Sequence, residues 1–296
     1  MKILRVFVAA LAIACTFAPA IAHPGSAIVV DRRGYVYFLD TGAGVWMIDP
    51  RGKLSRHDGP RFHWMAIDES TQPFGARLPA IPNGEVTAVG ANPTLLLSSD
   101  VPLVIGRDGA LYYPELRSEQ LRILRFTRAG VQSVHATLPA KVTGGALPWI
   151  NGLAAGSDGS LYYTEDTAVR KIDPRGVVFT LATNIAIPGC TAIPGIDGAA
   201  PYLRGLAVAV DGTVFVAASG CGTVLKITPR GKLTTILQTT SPWSPTAVAV
   251  ASSGLYVQEY LHTATEDRLA WLPRVRKVLP NGDIVSIATV ERGKAP

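Results

Sequence analysis

With 296 residues, 48% of them hydrophobic and only 17% charged, the chain has room for one large domain and too much apolar character for disorder. Its 29 glycines and 22 prolines fit many short buried strands joined by tight turns better than long amphipathic helices. The formal net charge of +6 is mild and comes with no basic run and no nucleic-acid motif, which excludes nucleic acid as the expected partner.

The N-terminus reads as a cleavable signal peptide over residues 1–22. Lys2 and Arg5 precede an apolar run from Val6 to Phe17, and Ala20-Ile21-Ala22 supplies small residues before His23. The run is too short to cross a hydrocarbon layer of about 30 Å, and nothing downstream is long and apolar enough to do so. A secreted or periplasmic chain with no membrane span is therefore expected. Cys15 is a poor lipoprotein candidate, because Ala12 and Ile13 precede it. Cleavage removes two basic residues and no acid, lowering the formal net charge to +4 and leaving two cysteines, Cys190 and Cys221.

Beyond the leader the sequence repeats. A short apolar stretch, a Gly-centred turn, a second apolar stretch, a variable gap, a third stretch, a Pro-x-Gly turn and a fourth stretch recur along the chain. The third-to-fourth-strand turn is read six times, at Pro50-Arg51-Gly52, Pro82-Asn83-Gly84, Arg128-Ala129-Gly130, Pro174-Arg175-Gly176, Pro229-Arg230-Gly231 and Pro280-Asn281-Gly282. Their glycines are 32, 46, 46, 55 and 51 residues apart, spacings that suit propeller blades of about 40 to 50 residues. The prediction is an all-β fold: one six-bladed β-propeller, 23–296, of four-stranded antiparallel blades around a central channel. The blades are placed at roughly 24–58, 62–97, 100–138, 149–184, 202–238 and 245–290, and the chain is expected to be a monomer. The second blade is the most degenerate.

In such a fold the Asp-Gly and Pro-x-Gly turns share one face. The long segments 56–61, 139–150, 184–203, 239–245 and 261–272 share the other, where function is expected. Aligning the blades puts one residue of each at the channel mouth on that face: Ser26, His63, Val101, Asn151, Arg204 and Thr246. His63 has the chemistry of a general base or ligand, Arg204 of a carboxylate or oxyanion clamp, and Asn151 of an orienting group. The plainer alternative has His63 satisfying backbone groups and Arg204 pairing with a nearby acid.

Asp40, Glu115, Glu165 and Glu259 end second strands on this face, with Ala218 at the matching place in blade five. These acids are expected to bond backbone amides of the following turn, and Glu165 and Glu259 are outer candidates around the mouth. Trp64, Trp149, Tyr202, Trp243 and Trp271 offer aromatic faces for a glycan or flat organic ligand, or pack the long loops. The segment 261–272 carries His262, Glu266, Asp267, Arg268 and Trp271, and reads as a lid over the mouth or a short surface helix. Cys190 and Cys221 fall on the same face and are expected to form a disulfide beside Arg204.

Asn151-Gly152-Leu153 with Asp158-Gly159-Ser160-Leu161-Tyr162-Tyr163-Thr164-Glu165, and the Pro-x-Gly segments ending at Gly176, Gly231 and Gly282, resemble the NHL-repeat propellers. More loosely, they resemble the gluconolactonase and senescence-marker-protein group. That group's resemblance implies a divalent metal, calcium or zinc, held at the mouth by a Glu, an Asp and Asn residues. Asn151 matches one such Asn, but Ser26 and Arg204 stand where the carboxylates are expected, which disfavours the metal. The resemblance implies hydrolysis of a sugar lactone or related ester. NHL-type propellers imply instead a non-catalytic module binding a small ligand, glycan or protein partner in the cell envelope. No contiguous catalytic signature such as Gly-x-Ser-x-Gly or His-Glu-x-x-His is present.

Overall fold

The computed structural model describes residues 25–74, 77–81, 84–139, 150–165, 167–190, 201–261 and 270–291. Among these residues twenty-three strands form six sheets arranged as a propeller. Blade one holds β1 (Ile28–Val30), β2 (Val36–Asp40), β3 (Gly44–Ile48) and β4 (Leu54–His57). Blade two holds β5 (Trp64–Asp68), β6 (Val86–Val89) and β7 (Thr94–Ser98). Blade three holds β8 (Val104–Ile105), β9 (Leu111–Arg117), β10 (Gln120–Phe126) and β11 (Gln132–Thr137). Blade four holds β12 (Gly152–Ala155), β13 (Leu161–Thr164), β14 (Val169–Ile172) and β15 (Val178–Ala182). Blade five holds β16 (Leu203–Val208), β17 (Val214–Ala218), β18 (Thr223–Ile227) and β19 (Leu233–Gln238). Blade six holds β20 (Trp243–Ala251), β21 (Gly254–Leu261), β22 (Pro273–Val278) and β23 (Ile284–Thr289). No helix among the described residues is long and apolar enough to cross a membrane.

The turns form for local reasons. In the Asp-Gly turn of blade four, Asp158 Oδ1 accepts the Ser160 amide at 3.0 Å; Asp211 does the same for Thr213 at 2.9 Å. The residue before the Pro-x-Gly corners of blades four and five plays a similar part: Asp173 Oδ1 accepts the amides of Arg175 and Val177, and Thr228 Oγ1 that of Lys232. Gly176 closes its corner with φ +85°, and a Cβ there would lie 2.1 Å from the His135 carbonyl oxygen, so only glycine fits.

Five of the six predicted corners behave this way. The sixth does not. Gly84 lacks the positive φ of the other corner glycines, and it precedes β6 instead of joining a third strand to a fourth. Pro82 and Asn83 lie outside the described residues. Blade two has three strands in the order β5-β7-β6, so after β5 the chain runs to the outer position and then returns inward.

A buried ion pair holds the intervening segment. Asp68, at the end of β5, receives Arg128 of blade three in a two-pronged contact, Nη1 to Oδ2 at 2.7 Å and Nη2 to Oδ1 at 2.8 Å. Arg128 also donates to the Gln72 carbonyl and covers the Phe74 ring. Phe74 and Ile81 then pack with Leu111, Tyr113 and Phe126 of blade three, replacing the missing strand with side chains.

Each blade is built from one continuous stretch, so neither end of the chain completes the other's sheet. Closure falls to side chains between blades six and one. Ile28, Phe38 and Trp46 pack against Ala247, Ala249, Tyr256 and Val275. Tyr260 Oη donates to the Leu39 carbonyl at 2.6 Å, and Gln258 Nε2 donates to the same oxygen.

Cys190 and Cys221 are joined in a disulfide, with Cα atoms 5.0 Å apart. Cys221 ends a 3-10 turn, Ser219–Cys221, between β17 and β18. From that turn the Ser219 and Gly220 amides donate to the Tyr202 and Pro201 carbonyls at 3.1 and 3.0 Å, and Ser219 Oγ donates to the Pro245 carbonyl. The turn thus ties the start of blade five to the start of blade six, and the disulfide fastens Cys190 to that turn.

Two stability measurements follow. Burial alone raises the Asp68 pKa, but Arg128 and the amides of Ser70 and Phe74 outweigh it and hold the carboxyl below its ordinary range. Arg128→Met is therefore expected to cost about 2 to 3 kcal/mol in urea unfolding at neutral pH. A carboxyl with a lowered folded pKa contributes fully above its unfolded value, so the deficit should shrink below about pH 4. A deficit that is unchanged in acid would mean the ion pair is not its source. Removing the disulfide as Cys190→Ala/Cys221→Ala opens a loop of 31 residues and is expected to cost about 4 kcal/mol.

Candidate functional site

The inner strands β1, β5, β8, β12, β16 and β20 surround a central channel enclosing about 280 Å3. The residues preceding or opening them form its rim on the long-loop face. In four blades the rim residue begins a polar–small–aliphatic triplet: Ser26-Ala27-Ile28, Asn151-Gly152-Leu153, Arg204-Gly205-Leu206 and Thr246-Ala247-Val248. Blades two and three read His63-Trp64-Met65 and Val101-Pro102-Leu103.

The small second residue has a steric cause. A Cβ on Gly152 would stand 2.7 Å from the Arg204 carbonyl oxygen, and one on Gly205 would stand 2.8 Å from the Ala247 Cα. The inner strands of blades four, five and six therefore touch backbone to backbone at this level. That contact sets Asn151, Arg204 and Thr246 side by side. Thr164 Oγ1 donates to the Arg204 carbonyl at 2.8 Å, and the Ser26 amide to the His63 carbonyl at 2.9 Å, which extends the rim through blades one and two.

The rim is polar and withdrawn from solvent. Ser26 is 6% exposed, Asn151 and Arg204 3%, and Thr246 0%, while His63 and Val101 are half-buried. Burial pushes the Arg204 guanidinium below its ordinary pKa, opposed by the nearby Tyr202 and Tyr260 hydroxyls. Tyr202, held at φ +47°, places its ring centroid 5.9 Å from the Arg204 Cζ. Ser26 Oγ, Trp64 Nε1, Asn151 Nδ2 and Thr246 Oγ1 are buried and meet no hydrogen-bond partner among the described residues. Such groups are costly unless something completes them.

His63 Nδ1 lies 2.9 Å from the Ser99 carbonyl oxygen. A carbonyl only accepts, so Nδ1 carries the proton and Nε2, which is buried, is the lone-pair nitrogen of the neutral ring.

The four acids ending second strands do not join this rim. Glu259 is fully buried between Arg274, 2.5 Å away, and Arg276, also 2.5 Å. Glu165 pairs with Arg170 at 3.2 Å and Glu115 with Arg122. Only Asp40 bonds the amide of its following turn, taking Gly42 N at 2.8 Å, together with the Trp46 indole. In the other three blades a third-strand arginine replaces the expected amides as partner: Arg122 registers directly opposite Glu115 and Arg274 opposite Glu259, while Arg170 stands opposite Tyr163, two residues before Glu165, and reaches across to it.

Among the described residues no group of three or more His, Cys, Asp or Glu side chains could hold a metal ion. The rim's one lone-pair nitrogen, its hydroxyls, its amide and its buried guanidinium do not fit calcium or zinc, which need several oxygen or anionic ligands.

Of the aromatic candidates, Trp271 is buried and Trp243 is half-buried beneath Arg274, whose Cζ is 4.0 Å from the ring. Tyr202 stands beside the rim, and Trp64, buried, follows His63 within it. Trp149, His262 and the charged part of the 261–272 segment lie outside the described residues. The triplet that builds the rim was visible in the sequence as a repeated small residue, but its meaning depends on how closely neighbouring strands approach.

No family model matches the chain, and neither does any curated protein. Solved structures do. The calcium-binding protein regucalcin from Agrobacterium tumefaciens aligns over 83% of this chain and 85% of its own, with a TM-score of 0.53 and 13% identity. A luciferin-regenerating enzyme aligns over 85% and 91%, with a TM-score of 0.51 and 18% identity. Virginiamycin B lyase from Staphylococcus aureus aligns over 88% and 82%, with a TM-score of 0.50 and 17% identity. At such identities the likeness is one of fold, and the fold is that of a six-bladed β-propeller.

Proposed function

We propose that this chain is an exported propeller that hydrolyses a lactone or related ester of a small organic molecule at the channel rim. The observation that carries the reading is the pairing, on one rim, of a base with a fixed tautomer, His63, and the buried donors Asn151 and Arg204. His63 Nε2 takes a proton from water as the water oxygen bonds to the carbonyl carbon. The carbonyl oxygen becomes an oxyanion that accepts hydrogen bonds from Asn151 Nδ2 and the Arg204 guanidinium. The ring C–O bond then breaks, and the departing alkoxide receives the proton from His63, leaving a hydroxy acid. No metal enters these steps.

Export is supported by two separate features. One is the Lys2 and Arg5 flank of the apolar run up to Phe17, and the other is the Cys190–Cys221 disulfide, which persists in oxidising compartments. A glycan-binding role would draw on exposed aromatics, and the burial of Trp271 and the cover over Trp243 leave fewer of them for it.

Across a panel of lactones, His63→Ala is expected to lower kcat/KM by at least about a hundredfold, with His63→Gln no better. Unchanged turnover in His63→Ala would remove the base from the mechanism, and inactivity of the wild type on the whole panel would remove the hydrolase. N-terminal sequencing of the exported protein is expected to begin at His23; an intact Met1 would refute export through this leader.

A further inference from the structure

We infer that the rim selects an oxyanion by protein donors alone, so that its ligand is a small hydroxycarboxylate and Arg204 supplies the positive charge that a metal would otherwise bring. The inference deepens the hydrolase reading and rests on the same placement of the ligand at the rim.

The argument begins with the buried donors. Trp64 Nε1 and Asn151 Nδ2 are N–H groups that give hydrogen bonds and cannot take them. Both residues are more than nine-tenths buried, and neither atom has a partner among the described residues. Ser26 Oγ and Thr246 Oγ1 are in the same condition and are able to donate. An uncompleted buried donor is costly, and what completes a donor is an acceptor oxygen. A cation completes neither of the two N–H groups.

Charge points the same way. The Arg204 guanidinium is held at 3% exposure, where its field is weakly screened. Asp40, Glu115, Glu165 and Glu259, the acids near enough in sequence pattern to have served a cation, face other partners: Gly42 and Trp46, Arg122, Arg170, and Arg274 with Arg276. Among the described residues the rim therefore offers no group of anionic ligands of the kind a divalent ion needs, while its donors match a carboxylate.

The test is calorimetric titration of the exported protein in excess EDTA with sodium gluconate, lactate and acetate, with glucose as the uncharged control and calcium and zinc chloride titrated separately without chelator. At least one carboxylate is expected to bind, glucose at least about tenfold more weakly, and neither metal to bind or to alter the carboxylate affinity. Arg204→Met and Asn151→Leu are each expected to weaken the carboxylate by about tenfold or more. Thr246→Val supplies a milder change should circular dichroism show Arg204→Met unfolded.

Binding of none of the three carboxylates, equal affinity for gluconate and glucose, or a carboxylate affinity that depends on calcium or zinc would each overturn the inference. His63→Ala is expected to keep the carboxylate affinity while losing turnover. An enzyme inactive on every lactone that still binds a carboxylate in EDTA would refute the hydrolase and leave the anion site standing. A lactonase that needs a metal would do the reverse.

Discussion

One carbonyl oxygen, that of Leu39, receives the last blade. Tyr260 and Gln258 both donate to it from β21, with Tyr256 packed on the same side against Trp46. Because each blade is continuous in sequence, no sheet pairing among the described residues ties blade six to blade one. Strand alternation makes this possible: 256, 258 and 260 face blade one, while Glu259 faces back and is satisfied by Arg274 and Arg276. The rim exists only because this seam closes, since Ser26 and Thr246 come from its two sides.

What the sequence made legible was the part of the fold that is local. Asp-Gly and Pro-x-Gly corners carry their own cause, a side-chain oxygen meeting an amide two or four residues on, and five of the six predicted corners are built that way. The failure at Gly84 is of the opposite kind. Pro82-Asn83-Gly84 has the corner's residue types, but strand pairing is decided by partners far away, here Arg128 seizing Asp68 and Phe74 filling the space of a strand. The disulfide was read from position on a face. The partners of Glu115, Glu165 and Glu259 were not, because a third-strand arginine becomes their neighbour only once register is known.

The rim was read residue by residue, but its character was not. Alignment of the repeats named Ser26, His63, Asn151, Arg204 and Thr246, and chemistry alone warned that Arg204 is a poor neighbour for a metal. That these groups are buried and that several of their donors meet no protein acceptor are facts of packing, set by the backbone contact of blades four, five and six at Gly152 and Gly205. The outcome is a division of charge. Three of the carboxylates, Glu115, Glu165 and Glu259, sit one layer out, neutralised by arginines within their own blades, while Arg204 lies among the neutral rim residues.

The disulfide has a consequence for the order of events during synthesis. Both cysteines flank or belong to blade five, 31 residues apart, so their pairing requires nothing from blade six. The covalent bond can form as that segment emerges, before the seam at Leu39 has a partner. It then presents Pro201 and Tyr202 already docked on the Ser219 turn when the final blade arrives. Under the proposed export, with the leader and Cys15 removed, there is one pairing to find, and such a protein would need an oxidant in its compartment but no isomerase to correct it.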